Sequence, residues 1–192
     1  MEDEVFEAIR QEAEKLMPPF GTHGFEHTLR VYNRCRIIGV LKGADLSTLL
    51  PAALLHDIIR DENDHENASS LKAREILKSL DYPANKIEDI AKAINVHSFS
   101  GGLTPDSLEA RILSDADKLD AMGAIGVYRA AMYCVGKGRS IEEFVSHFHE
   151  KLLRLKDLLY TEEGKHLAES RHKFMIDFLE QLGNELRFVD MK

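Results

Sequence analysis

A histidine and an aspartate lie side by side in an otherwise apolar stretch, as His56 and Asp57 within residues 49–59. Burying a neutral imidazole and a carboxylate without partners is costly, because both lose their hydrogen bonds to water. A metal cation is one partner that satisfies both side chains at once. Residues of the same kind stand upstream and downstream, at His27 and Asp117. These four residues are therefore candidate ligands of a metal ion.

Helical spacing predicts that these candidate ligands face the interior of the protein. His27, Val31 and Cys35 are four residues apart and share one helix face, so His27 points inward. His56 shares a face with the apolar residues before it, and Asp57 lies about 100° further round the same helix. The downstream aspartate would approach from a third helix. The resulting shell of imidazoles and carboxylates leaves room for water or phosphate oxygens, and it suits Mn²⁺, Fe²⁺, Co²⁺ or Ni²⁺ better than Mg²⁺.

Three segments carry these residues in a characteristic order. They are residues 23–31 (HGFEHTLRV), 53–58 (ALLHDI) and 115–126 (DADKLDAMGAIG). With these segments the chain resembles the HD-domain metal-dependent phosphohydrolase superfamily, and above all its small stand-alone members. The His-Asp pair alone is a weak signal, whereas the three segments in order on expected helices are a strong one.

The resemblance implies a metal-dependent phosphohydrolase that cleaves a phosphate ester or anhydride of a small phosphorylated substrate, most readily a nucleotide. It implies that His27, His56, Asp57 and Asp117 bind the metal and that Asp57 is catalytic. Among the neighbouring aspartates, Asp115 and Asp120 are not assigned as ligands. Three alternatives stay open: a phosphodiesterase, a guanosine-polyphosphate hydrolase, and a non-catalytic helical module that keeps a structural or sensory metal. Open coordination positions would favour catalysis, and a shell filled by protein would favour the module.

One position departs from part of the superfamily. Some members that act on deoxynucleoside monophosphates have a glutamate three positions after the aspartate of the pair, where this chain has Arg60. A glutamate general base is therefore not transferred, and the general base is left unassigned. Asp61 and Glu62 are close in sequence, but they are also explained as residues that end a helix.

Five further polar residues near the motifs are candidates for contacting substrate phosphate, which is bound by charged and hydrogen-bonding donors. They are His23, His65, His97, Lys118 and Arg129. Dinuclear members of the superfamily use two additional histidines between the pair and the final aspartate for a second metal. No further carboxylate here clearly belongs to a second site. The expectation is a mononuclear site whose open side is faced by His65 and His97 as donors to phosphate.

The apolar spacing indicates helices throughout and no strands. The expected fold class is all-α, a single globular helical bundle of the HD type over residues 1–192. Its motif-bearing core covers about 20–135, and C-terminal helices at about 140–186 pack on it. Helices are expected at about 2–16, 25–41, 45–60, 64–80, 84–97, 140–158 and 161–186, with two more between residue 106 and the glycines at 136–138.

Composition limits the partners. Hydrophobic residues make up 44% of the chain, which is enough for an ordinary core, and the net charge of -8 argues against a broad nucleic-acid-binding face. No apolar stretch is long enough to cross a bilayer and no signal peptide is seen, so the expectation is a cytoplasmic protein without a membrane partner. An oligomer is compatible with the sequence. Cys35 and Cys134 are expected to be buried apolar residues rather than metal or redox groups.

Overall fold

A computed structural model describes residues 2–60, 64–98 and 102–189 of the chain. Those residues form nine α-helices and one 3-10 helix without any strand, which confirms the all-α class. The α-helices are α1 (Glu2–Leu16), α2 (Phe25–Lys42), α3 (Leu46–Leu55), α4 (His65–Ser79), α5 (Ala84–Asn95), α6 (Leu108–Asp120), α7 (Gly123–Gly136), α8 (Ile141–Glu150) and α9 (Glu162–Leu186). The 3-10 helix, Leu152–Leu158, lies between α8 and α9 in the chain.

The chain divides into two compact units, Met1–Asp117 and Lys118–Lys192. In the first unit, α2, α1 and α5 pack against α3, and α4 packs against α5. The interior of this unit is aliphatic and includes Ile9, Leu49, Leu54, Leu77, Ile90 and Ile94. In the second unit, α9 packs against α7 and the 3-10 helix. Helix α8 also contacts α7 and the 3-10 helix. The expectation that residues 1–192 form a single domain stays a prediction.

Helix α3, which leads into the His-Asp pair, begins with a strong cap. The side chain of Asp45 accepts hydrogen bonds from the Ser47 backbone N–H at 3.1 Å and from the Thr48 hydroxyl at 2.9 Å. Pro51 inside the helix lacks the N–H that would bond the Ser47 carbonyl four residues earlier. The hydroxyl of Tyr82 donates to that carbonyl at 2.6 Å instead. The proline is therefore tolerated because its missing hydrogen bond is replaced from outside the helix.

The sequence predicts that the same helix continues to about residue 60, and this is wrong. Helix α3 ends at Leu55, with His56 as its C-cap. The Ser69 hydroxyl on α4 bonds both backbone groups of Ile59, at 3.1 Å to its N–H and 3.2 Å to its carbonyl. Because Ile59 is tied to α4 in this way, the chain leaves the helix just where the His-Asp pair occurs.

The single helix expected over 140–158 is also wrong, since α8 ends at Glu150 and a 3-10 helix follows. Lys151 between them has φ -130° and ψ -61°, which is not helical. In the 3-10 helix the buried Leu152 and Leu155 are three residues apart and therefore lie on one face. Helix α5 ends two residues before the predicted limit, at Asn95.

Two expectations about side chains and membranes are addressed by the described residues. Cys35 and Cys134 are free thiols and both are buried, which confirms that they are interior residues. Among the described helices, none combines the length and the apolar character that a membrane span requires.

Candidate metal centre

The loop before α2 places His27 in the first turn of that helix. Gly24 is the N-cap of α2, and a Cβ atom there would lie 2.5 Å from the carbonyl carbon of Phe20. The Phe25 N–H donates to the carbonyl of Pro18 at 2.8 Å. The loop therefore folds back tightly on the helix start, where only glycine fits, and the imidazole of His27 is fully buried.

The four candidate ligands meet in the first unit. His27 Nε2 lies 3.3 Å from His56 Nε2 and 3.4 Å from Asp117 Oδ1. Asp57 Oδ2 lies 3.7 Å from His27 Nε2 and 3.9 Å from His56 Nε2. His27, His56 and Asp57 are buried, whereas 27% of the Asp117 side chain is exposed. The structure thus brings together the four residues named from the sequence, with one side reachable from solvent.

Two backbone carbonyls orient the imidazoles. His56 Nδ1 lies 2.9 Å from the carbonyl of Ala53, and His97 Nδ1 lies 2.6 Å from the carbonyl of Ile94. A carbonyl only accepts, so each Nδ1 carries a proton, which leaves the Nε2 atom of each ring turned towards the cluster. Histidines that bind metals commonly donate their second ring nitrogen in this way.

The charge state of His56 also suits a metal ligand. Burial lowers the pKa of His56 to about 4, with Asp57 opposing this shift and the neighbouring His97 and His27 adding to it. The imidazole is therefore neutral near pH 7, and its Nε2 lone pair is available.

Both carboxylates of the cluster are ionised. Burial raises the pKa of Asp57, but the charge of His56 and the hydrogen bond from His23 outweigh it and hold the pKa well below its usual range. Burial likewise opposes the shift at Asp117, whose pKa is held well below its usual range by the hydrogen bond and charge of His27. Two negative charges in a buried site need positive charge nearby.

This donor set fits a divalent cation. Two imidazole nitrogens that face each other at 3.3 Å beside two carboxylates require a shared proton or a shared cation between them. The cluster offers nitrogen and oxygen but no thiolate, and such a mixed set suits first-row transition metals. Among the residues that the structure describes, ligand-competent atoms lie within 4.8 Å of one another in three sets. These are His23, His27 and Asp57; His27, His56 and Asp117; and His56, Asp57 and His97.

His65 and His97 both reach this cluster. His97 is 1% exposed, and its Nε2 lies 3.9 Å from Asp57 Oδ1. His65, the first residue of α4, is 15% exposed and places its Nε2 at the same distance from that oxygen. His97 is thus enclosed, while His65 lies nearer the open side. Their expected role as donors to phosphate stays a prediction. His97 also forms a set of ligand-competent atoms with His56 and Asp57.

Two residues of the site were missed by sequence reasoning. Arg60, interpreted only as a departure from a family pattern, donates to Asp57 Oδ1 at 2.9 Å and contacts His23 Nε2 at 3.0 Å. Glu66 is buried, and its Oε2 lies 3.2 Å from Nδ1 of His65. Glu66 lies in a polar run without periodicity, so no signal singled it out; an arginine one helical turn after a candidate ligand was a signal for Arg60.

The second unit holds the other two candidates for binding phosphate. Lys118 Nζ lies 4.9 Å from the ring centroid of Tyr160, and Arg129 Nη1 donates to Asp120 Oδ2 at 3.2 Å. All but Tyr160 are buried. These contacts lie within the second unit, and the predicted substrate roles of Lys118 and Arg129 stay predictions. In the first unit, Asp115 is fully buried next to the Asp117 segment.

A comparison with protein families matches residues 24–122 to the HD domain. Among individual proteins, YpgQ of Bacillus subtilis, described as uncharacterized, is 35% identical over 179 residues, which cover 88% of this chain and 86% of YpgQ.

Solved structures give the same picture. The crystal structure of Bacillus subtilis YpgQ in complex with ADP matches with a TM-score of 0.82 and 30% identity, covering 95% of each chain. A HD-superfamily hydrolase from Bacillus thuringiensis matches with a TM-score of 0.77 and 29% identity, covering 97% of this chain and 99% of the other. The matched family segment contains every one of the four residues that meet in the cluster.

Proposed function

The chain belongs to the HD-domain family, and from that membership we propose that it is a metal-dependent phosphohydrolase acting on a small phosphorylated substrate. Solved relatives named HD-superfamily hydrolases support the hydrolase class. Family membership does not determine a substrate, which depends on the residues of the site.

One observation carries the proposal. A largely buried cluster contains two imidazole nitrogens and two carboxylate oxygens, which belong to His27, His56, Asp57 and Asp117. The distances between adjacent atoms of this cluster are 3.3 to 3.9 Å. Structural ion pairs do not need two imidazole nitrogens facing each other at 3.3 Å. A cation-binding role explains why these groups are buried together.

The side chains of the cluster would each contribute in a distinct way. His27, His56, Asp57 and Asp117 would hold the cation. The carbonyl of Ala53 keeps the Nε2 lone pair of His56 directed at the cluster. A divalent cation held there would polarise a phosphoryl oxygen and lower the pKa of a bound water. Because 27% of Asp117 is exposed, substrate would enter on its side.

We propose Mn²⁺, Fe²⁺, Co²⁺ or Ni²⁺ rather than Mg²⁺ as the metal. Mg²⁺ prefers six oxygen ligands and keeps several waters, whereas this cluster supplies at least two imidazole nitrogens. His97 belongs to one of the ligand-competent sets. The alternative to a mononuclear site is therefore a dinuclear site in which His97 binds a second ion.

We propose a nucleotide as the substrate class. Support comes from Bacillus subtilis YpgQ, whose crystal structure holds ADP. In this chain the charged and polar groups around Asp57 include Arg60, His23 and His65, which are of the types that bind phosphate.

We propose the cytoplasm as the location of the protein, since the free thiols of Cys35 and Cys134 agree with a reducing compartment.

The deciding experiment is a phosphate- and pyrophosphate-release screen of the purified protein over a nucleotide panel, repeated with several divalent metals and after chelation. Metal-dependent release from nucleoside phosphates supports the proposal. Release only from cyclic nucleotides or guanosine polyphosphates would select the corresponding alternative. Tight metal binding without any hydrolysis would identify the non-catalytic module instead.

A further inference from the structure

Arg60, His23 and Asp57 form a closed ring of hydrogen bonds. Arg60 Nη1 donates to Asp57 Oδ1 at 2.9 Å, Arg60 Nη2 lies 3.0 Å from His23 Nε2, and His23 Nδ1 lies 3.0 Å from Asp57 Oδ2. A guanidinium group has no acceptor, so Nη2 must donate to His23 Nε2. His23 therefore carries its proton on Nδ1 and donates it to the carboxylate of Asp57.

This ring holds the permanent positive charge of Arg60 next to Asp57, a candidate metal ligand. Asp57 is 2% exposed, so its carboxylate interacts strongly with charges close to it. A guanidinium and a divalent cation on the same carboxylate repel each other. Arg60 must therefore weaken metal binding at Asp57, relative to a neutral side chain of similar shape.

The partial exposure of the Arg60 side chain indicates a role for its positive charge in binding substrate. The ring uses two of the five N–H groups of the guanidinium, and the side chain is 32% exposed. The planar guanidinium matches phosphate with two parallel hydrogen bonds. Arg60 thus lies beside the metal-binding carboxylate and at the surface, where it can reach a phosphate held there.

We propose that Arg60 is a substrate-binding residue that couples phosphate binding to metal binding. It weakens binding of the metal alone and strengthens binding of the phosphate group once the metal is present. By linkage, phosphate then raises the metal affinity by the same factor as the metal raises the phosphate affinity. The inference rests on the proposed function, since it assumes a cation on Asp57.

Calorimetric titrations test this coupling. Mn²⁺ is titrated into the metal-free protein, and inorganic phosphate is then titrated into the Mn²⁺-loaded protein. Arg60→Gln removes the charge and keeps an amide donor, so Mn²⁺ should bind about threefold or more tightly. Phosphate should bind roughly ten- to a hundredfold more weakly, because a charge-assisted hydrogen bond is lost.

Two further variants separate charge from geometry. Arg60→Lys keeps the charge without the planar guanidinium, so its Mn²⁺ affinity should stay near that of the wild type while its phosphate affinity falls. Arg74→Gln is the matched control, because it makes the same charge change at an arginine that pairs with Glu88 in the same unit. Both affinities should be unchanged in Arg74→Gln.

The outcomes are distinct. Weaker Mn²⁺ binding in Arg60→Gln would show that Arg60 only supports Asp57, and an unchanged phosphate affinity would show that it does not contact phosphate; either result overturns the inference. If circular dichroism shows that Arg60→Gln does not fold, the phosphate affinities of Arg60→Lys and Arg74→Gln are compared instead. A phosphate affinity of Arg60→Lys equal to that of Arg74→Gln would then overturn the inference. A wild-type protein that binds no divalent ion overturns the proposed function itself.

Discussion

The Nε2 atoms of His27 and His56 lie 3.3 Å apart although the two residues are 29 positions apart in the chain. His27 comes from the first turn of α2, and His56 is the C-cap of α3. Because α2 packs against α3, the start of one helix meets the end of the other at this point. The contact between the two imidazoles therefore depends on where both helices stop.

The first prediction concerns metal content. We expect about one tightly bound divalent transition-metal ion per wild-type chain, and none in the His56→Ala plus Asp57→Ala double variant. Elemental analysis of purified protein measures this. Added Mn²⁺ should raise the melting temperature of the wild type only, because a ligand that binds the native state stabilises it.

A matched control for the metal measurement is His149→Ala, which removes an exposed histidine from α8 in the second unit. It should keep the metal content of the wild type. Equal metal in the wild type and the double variant would show that the cluster is not the metal site.

The second prediction concerns Asp117. Asp117→Asn keeps the volume of the side chain and removes its charge, so hydrolysis should fall by at least about a hundredfold while the protein stays folded. Steady-state kinetics and circular dichroism together measure this. Asp177→Asn makes the same change at an exposed ion pair with Lys173 and should retain full activity. Wild-type turnover by Asp117→Asn would refute the role given to Asp117.

A third prediction separates the roles of His65 and His97. If each donates to substrate phosphate, alanine at either position should lower kcat/KM by roughly ten- to a hundredfold with unchanged metal content. Metal analysis alongside the kinetics tests the alternative. Two ions per wild-type chain that fall to one in His97→Ala would establish a dinuclear site, in keeping with the buried Nε2 of His97 beside Asp57.

The fourth prediction tests the repair of helix α3. Tyr82→Phe leaves the Ser47 carbonyl without its hydroxyl donor, so the free energy of unfolding should fall by about 0.5–1.5 kcal/mol. Pro51→Ala restores an N–H that can reach the same carbonyl. In the Pro51→Ala background the Tyr82→Phe change should therefore cost less. Urea denaturation of the four proteins in this cycle measures the coupling, and additive costs would contradict the argument.

The fifth prediction concerns pH. Burial opposes the shift at Asp45, but hydrogen bonds from Lys86, Ser47 and Thr48 lower its pKa to about 2. A carboxyl group whose pKa is depressed by folding stabilises the native state above its unfolded pKa, which is about 3.9. That stability is lost as the pH falls from about 4 towards about 2.

Asp45→Asn isolates this contribution, because asparagine also caps helices well. With 38% of the Asp45 side chain exposed, solvent screening limits the difference between the two proteins to about 1 kcal/mol or less. Urea unfolding at several pH values should show the full difference at pH 5 to 7 and a shrinking one below pH 4. A difference that grows towards low pH would contradict the assignment.

The sequence by itself determined the helical class and the four residues of the cluster. Apolar periodicity places most helices within a few residues of their observed bounds, since burial of one face is a local property of the chain. His56 and Asp57 stood out because a histidine and an aspartate in an apolar run are unusual. His27 and Asp117 were named from the order of the three motifs and from the resemblance to the HD superfamily. The burial of Cys35 and Cys134 followed from the same pattern.

Tertiary structure decided where α3 ends and what surrounds Asp57. The end at Leu55 depends on the hydroxyl of Ser69, which lies on another helix, and local helix propensity does not include such a contact. The ring of Arg60, His23 and Asp57 joins residues 34 and 37 positions apart. Electrostatic partners of this kind are set by the packing of α2 against α3, because charge interactions depend on distance in space and not on distance along the chain.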